Sequence, residues 1–264
     1  MNAVEIIGGL GNQFFQYTFY RYLQKLGVRD VVIKNNLFLQ SDDGYAGREY
    51  LLNRFNCCMN MDNEPCGEYY CTEEDYSDEL ALQYDGVLYE GYWQDIRFYD
   101  AVKNEIGKEL RLKQEYVDDS MKCVGNEMSF CNSVALHIRR SDYITQENLQ
   151  IFEQLTMDYY ASAVSLIEEF TQEKPVLYIF SDDTEYVKEN MKDFMGCRTI
   201  IMPQREAYQD MYLMTKTKHN IIANSTFSWW GATLNCNSDN ITVAPSNWMK
   251  GKKMNLYHKG WIVL

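Results

Sequence analysis

Downstream of residue 133 the sequence alternates short apolar runs with longer segments of helical period, and this alternation restricts the fold more than any other feature. Strand-length runs fall at 134–138, 176–180, 198–202, 219–223 and 241–244, and helical segments at 158–170, 184–195, 206–217 and 227–236. Such alternation builds a parallel sheet with right-handed crossovers, because parallel neighbours need a long return connection. The class is therefore α/β. Upstream, 4–7 reads as a strand, Gly8, Gly9 and Gly11 as a turn, 12–26 as a helix and 31–33 as a second strand. Residues 35–86 are weakly patterned and predict loops and short elements, and the polar stretch 113–132 reads as a region with a linker.

At roughly 150 residues per domain, the 264 residues accommodate one large domain or two small ones. A net charge of −13 repels nucleic acid and anionic lipid, so an anionic ligand requires a local basic cluster. The eight cysteines include no C-x-x-C pair, which argues against a zinc site and reads as reduced thiols in a cytoplasmic protein. The first residues carry no basic segment, and no apolar run approaches the roughly 20 residues that span a bilayer. The expectation is a cytoplasmic chain, at most peripherally associated with a membrane and without a nucleic-acid partner. Nothing in the pattern specifies an oligomeric state.

Open parallel sheets bind ligands beyond the carboxyl ends of their strands, and the polar clusters of this chain fall there. Residue 7 is followed by Gly8-Gly9-Leu10-Gly11-Asn12-Gln13, residue 138 by Arg139-Arg140-Ser141-Asp142-Tyr143 and residue 180 by Ser181-Asp182-Asp183. Residue 223 is followed by Asn224-Ser225-Thr226 and residue 244 by Pro245-Ser246-Asn247-Trp248. Turn propensity explains part of this, but not the paired arginines. A guanidinium at a strand end can grip phosphate bidentately; the competing reading is a salt bridge to a carboxylate. His137, inside its strand, reads either as a core histidine or as a donor-substrate contact.

Asn224-Ser225-Thr226 precede a helix opening at Phe227-Ser228, where amides and hydroxyls can bind phosphate, or where Ser225 or Thr226 acts as an ordinary cap. In Ser181-Asp182-Asp183 one aspartate is expected to cap the following helix and one to read a purine with amide and amino donors, such as guanine. The glycine turn lacks the third glycine of G-x-G-x-x-G, and no Gly-Lys-Ser/Thr occurs, which sets aside the common NAD and ATP sites. No D-x-D triplet occurs either, so neither a metal nor a cofactor is expected.

Taken in order, the segments 8–17, Gly91-Tyr92-Trp93-Gln94, His137 to Tyr143, Phe180 to Asp183 and Asn224 to Trp230 resemble the motifs of bacterial α-1,2-fucosyltransferases of glycosyltransferase family 11. The match runs from about residue 5 to residue 250. The resemblance implies a GT-B-like architecture of two Rossmann-like domains facing a cleft. The expected division is 1–125, an acceptor-side domain, and 126–264, a domain binding GDP-fucose. It further implies a metal-independent, inverting transfer of L-fucose to the 2-hydroxyl of a galactose-terminated acceptor.

By the same resemblance, Arg139 is expected at the β-phosphate, Asp182 or Asp183 at guanine, Asn12 near the fucose, and Ser225, Thr226, Phe227 and Ser228 near the pyrophosphate. Gly9, Leu10, Gly11, Gln13, His137, Arg140, Ser181 and Asn224 complete the expected donor contacts. Asp142 and Glu147 are the nearest candidates for the base, Glu147 at the spacing from His137 at which core α-1,6-fucosyltransferases carry a proposed one. Asp142 reads alternatively as an orienter of Arg140, and Glu147 as a solvated loop charge. Transfer to another hydroxyl and a non-catalytic nucleotide or carbohydrate binder are the competing functional readings.

Overall fold

A computed structural model of the chain describes residues 1–39, 48–64, 69–140, 143 and 145–264. The chain divides into two compact units, Met1–Lys113 and Gln114–Leu264. In the first, β1 (Asn2–Glu5), α1 (Leu10–Leu26), β2 (Val31–Lys34), α2 (Asn36–Leu39), β3 (Tyr69–Cys71), α3 (Asp78–Gln83), β4 (Val87–Tyr89) and α4 (Ile96–Glu109) follow in order. Its sheet has the order β2-β1-β4-β3, with every pair parallel. Helix α1 starts without a side-chain cap at Gly9 and ends at Gly27, whose left-handed φ of 100° lets its amide reach the Gln24 carbonyl. Phe14, Phe19 and Leu23 bury against the sheet and α4, where Phe19 lies flat on Trp93 at 3.8 Å. Of the Gly91-Tyr92-Trp93-Gln94 motif, Trp93 is a core side chain and Tyr92 is exposed.

The second unit contains α5 (Asp119–Ser129), β5 (Ser133–Ile138), α6 (Asn148–Ile151), α7 (Met157–Thr171), β6 (Val176–Ser181), α8 (Thr184–Asn190), β7 (Arg198–Ile201), α9 (Ala207–Met214), β8 (His219–Ile221), α10 (Thr226–Thr233), β9 (Thr242–Ala244) and β10 (Ile262–Val263). The strand order is β10-β9-β8-β5-β6-β7, again all parallel. β5 is buried along its whole length, as a central strand covered on both faces must be. Val134, Leu136, Ile138, Leu177, Ile179 and Val243 form the core with Val164 and Ile167 of α7 and Val187 of α8.

The structure departs from the sequence pattern at several places, among them the following. Helix 184–195 stops at Asn190, because Asp193 (φ 48°) and Met195 (φ 55°) adopt left-handed backbone that an α-helix of L-residues excludes. Helix 206–217 stops at Met214, where the Thr215 and Thr217 hydroxyls donate to the carbonyls of Tyr212 and Met214. The stretch 113–132 is largely α5, started by the Asp118 carboxylate, which accepts from the Met121 amide at 2.8 Å. A boundary at 125/126 falls inside α5; the division into units lies between Lys113 and Gln114. Among the described residues no helix is long and apolar enough to cross a membrane.

Helices α9 and α10 approach closely at Gly231, where an added Cβ would stand 2.9 Å from Met214 Cβ and 3.0 Å from its Cε. Gly231→Ala is expected to destabilise the protein by about 1–3 kcal/mol through overpacking. The check is urea unfolding: a lower midpoint at unchanged slope, with an unchanged midpoint contradicting the close approach.

Candidate functional site

The register between β5 and β6 builds the site in the second unit. Ile138 sits opposite Ser181, so the residues that follow each strand emerge side by side, 139 beside 182 and 140 beside 183. Arg139 Nη1 lies 3.0 Å from Asp182 Oδ2, and Arg140 Nε lies 3.2 Å from Asp183 Oδ2. Asp182 also accepts from the Arg140 amide at 2.9 Å, which fixes the turn leaving β5. The Arg140 guanidinium lies 3.7 Å from the centre of the Tyr186 ring, and Arg139 lies 5.6 Å from that of Tyr143. Both ion pairs are partly exposed, so each is worth on the order of 1 kcal/mol or less after solvent screening. Pairing with carboxylates, the alternative set against phosphate gripping, is thus realised here for both arginines. Because the pairs are weak, a diphosphate can compete for the guanidinium.

Asp183 also performs the capping role, accepting from the Tyr186 amide at 3.0 Å, while the Ser181 hydroxyl accepts from the Asp183 amide. Asp182 and Asp183, one expected to cap and the other to read guanine, are therefore both engaged. A carboxylate that the sequence reading missed lies nearby in the topology, in the first turn of α9 beyond β7. Among the described residues Asp210 Oδ1 is buried without a hydrogen-bond partner, as is Arg205 Nη1. Burial pushes the Asp210 acid up to about 7, with Arg205 opposing the shift. A lone Asp within an amphipathic helix carries no local sequence signal; its burial is what distinguishes it.

His137 is buried in β5 with Nδ1 lacking a partner among the described residues, its ring 5.7 Å from that of Phe227. Burial first, then the Arg139 charge, hold it down to about 3 against the opposing pull of Asp182, so the imidazole is neutral and is no proton carrier near neutrality. Helix α10 begins at Ser225 without a side-chain cap, a start suited to an anion. Thr226 opens that helix and Phe227 is half-buried beside it.

Two side chains of this motif hydrogen-bond to neighbouring backbone. Asn224 donates to the carbonyls of Glu153 (2.8 Å) and Trp248 (3.0 Å), and its own carbonyl accepts from the Tyr143 hydroxyl. The Ser228 hydroxyl, fully buried, donates to the carbonyls of Ala223 and Ser225. Of the candidate bases, Glu147 is exposed at the start of α6, and Asp142 lies outside the described residues, as does Ser141.

In the first unit, the glycine motif joins β1 to α1. Gly8 has φ 76°, and a Cβ there would lie 2.9 Å from Asn12 Nδ2, so the close turn requires glycine. Asn12 is half-buried and accepts from Gln94 Nε2 at 3.0 Å, which brings two of the motifs together. Gly9 faces open space, whereas the Leu10 side chain and Gly11 are buried. Gln13 is fully buried and clamps the chain, donating to the Gly8 and Glu49 carbonyls and accepting from the Leu51 amide. Burial thus gives the Leu10 and Gln13 side chains a role in the fold. Among the described residues no group of three or more His, Cys, Asp or Glu is placed to hold a metal ion.

The sequence model of Glycosyl transferase family 11 matches residues 63–264. The chain is 31% identical to the O-antigen biosynthesis glycosyltransferase WbnK of Escherichia coli over 97% of its own length and 98% of that protein's. It is 27% identical to an alpha-1,2-colitosyltransferase of Escherichia coli over 97% and 94% of the two chains. Among solved structures, the NodZ alpha-1,6-fucosyltransferase of Bradyrhizobium soaked with GDP-fucose shares the fold, with a TM-score of 0.53 at 13% identity over 88% of this chain and 92% of that one. The α/β fold of two parallel sheets is thus GT-B-like, as the sequence predicts. With the match running through the arginine pair and α10 to the last strand, the chain belongs to glycosyl transferase family 11.

Proposed function

We propose that the protein is an inverting, metal-independent transferase that moves L-fucose from GDP-fucose to the 2-hydroxyl of a terminal β-galactoside. In this reading the second unit binds the nucleotide and the first the galactose that receives fucose. The observation that carries it is the pair of arginines at the carboxyl end of β5, on the same sheet edge as the uncapped start of α10. In an inverting displacement the sugar gains positive character while charge accumulates on the departing β-phosphate. Donors aimed there stabilise the transition state more than the ground state. Arg139 takes this role, exchanging its Asp182 contact for phosphate oxygens, and the first-turn amides of α10 add to it. The acceptor proton goes to a carboxylate, Asp142 or Glu147, in the stretch that follows β5.

For guanine, Asp210 is a better reader than Asp182 or Asp183, because those two already hold the arginines and cap α8, whereas a buried oxygen of Asp210 lacks a partner. The guanine amide and amino groups would satisfy it. The colitosyltransferase relative supports a second reading in which the donor sugar is colitose, with the same nucleotide site and linkage.

Three outcomes are expected. Incubation with GDP-fucose and a panel of β-galactosides in excess EDTA yields an α-1,2 linkage, read by methylation analysis. A requirement for added Mg²⁺ or Mn²⁺, or another linkage, refutes the proposal, and use of only a colitosyl donor selects the second reading. Arg139→Ala keeps the fold and lowers kcat by about 10²–10³-fold, with Arg139→Lys recovering part of it for want of the planar fork; near-wild-type turnover would contradict the clamp. For Asp210, the charged carboxylate accepts both guanine donors, whereas the acid lacks one acceptor site. The ratio of wild-type to Asp210→Asn affinity for GDP therefore rises as pH rises through about 7. Calorimetry of both proteins across that range is the check, and a ratio of one throughout removes Asp210 from the site.

A further inference from the structure

Where Asn224 spends its side chain points to a second, separate binding surface in the same unit. The two carbonyls that it holds belong to the chain segments flanking an open groove of about 360 Å³. The groove lies between the first turns of α7 and the segment after β9, and its lining includes Glu153, Asp158, Ser162, Pro245, Ser246 and Asn247. Its size falls within the ~300–1,000 Å³ typical of ligand sites. Because every strand of the sheet is parallel, it opens on the same carboxyl edge as the arginine pair.

We propose that this groove is a subsite for a further, uncharged sugar residue of the acceptor glycan, beyond the galactose that receives fucose. The assignment rests on the transferase reading above. No lysine or arginine lines the groove, and Glu153 and Asp158 supply negative charge, so phosphate and nucleotide are disfavoured there. Sugar hydroxyls are donors that need acceptors, and two carboxylates with the Asn247 amide and the Ser162 and Ser246 hydroxyls provide them. Leu155, half-buried in the lining, offers an apolar wall for the C–H face of a pyranose.

The walls are held in place independently of any occupant. Asn224 fixes Glu153 and Trp248, and the Tyr159 hydroxyl donates to the Ile222 carbonyl at 2.7 Å. A subsite built on such fixed elements binds without a large ordering cost.

The test uses Ser162→Trp, an exposed position on α7 where a large ring fills the groove without touching the core. Saturation-transfer NMR with a panel of neutral galactose-terminated tetrasaccharides, in the presence of GDP, is expected to register binding to the wild type and its loss in the variant. No binding to the wild type, or equal binding to both, overturns the subsite, as does binding confined to amine-bearing sugars. In transfer assays the variant raises KM for the preferred tetrasaccharide about tenfold, roughly 1.4 kcal/mol, with KM for methyl β-galactoside and for GDP-fucose unchanged. An equal rise for both acceptors overturns it too. Absence of transfer to every acceptor would instead reject the function, leaving the NMR comparison to decide the groove.

Discussion

The hydrogen-bond register between β5 and β6 sets the electrostatics at the carboxyl edge of the second sheet. Because Ile138 pairs with Ser181, the two arginines and the two aspartates that follow must leave the sheet in step, cation beside anion. A one-residue slip would turn every side chain of β6 to the opposite face and carry the aspartates away from the guanidinium groups. The burial of both strands fixes that register, since Leu177 and Ile179 must stay in the core with Leu136 and Ile138. The hydrophobic core therefore aims the chemistry.

Two kinds of motif residue are distinguished by where their hydrogen bonds go. Arg139, Arg140 and Asp182 place charge at the strand ends, while Gln13, Asn224 and Ser228 use their polar groups on backbone carbonyls and amides of neighbouring segments. The second kind satisfies buried peptide groups that loops at the carboxyl edge would otherwise leave unpaired. Glu73 does the same in the first unit, accepting from the amides of Tyr92 and Trp93 and so supporting the left-handed Trp93 backbone.

Much of this architecture was legible in the sequence. Periodicity located the strands of the second unit to within about two residues, because buried parallel strands are continuous apolar runs bounded by polar turns. The arginine pair was conspicuous because turn chemistry does not explain it. What escaped the pattern depends on backbone or burial alone. The left-handed residues Asp193 and Met195 are not glycines and cut a helix short. The short edge strands β3 and β10 have no alternation to reveal them. Asp210 owes its character to desolvation by surroundings that are distant in sequence. For the same reason the inward-facing Gln13 and Asn224 could not be told from ligand-facing residues: type and spacing are identical for both.

Since Arg139 and Arg140 each have their own carboxylate, the two cations at the carboxyl end of β5 are balanced by Asp182 and Asp183 in this acidic protein. Inorganic phosphate and other small anions meet a cation already paired, and the weak, partly exposed Asp182 contact lowers their net gain by on the order of 1 kcal/mol or less. Deleting the aspartate would leave a bare guanidinium, open to any small anion. In this arrangement the carboxylate tempers the guanidinium, lowering its grip on every anion alike.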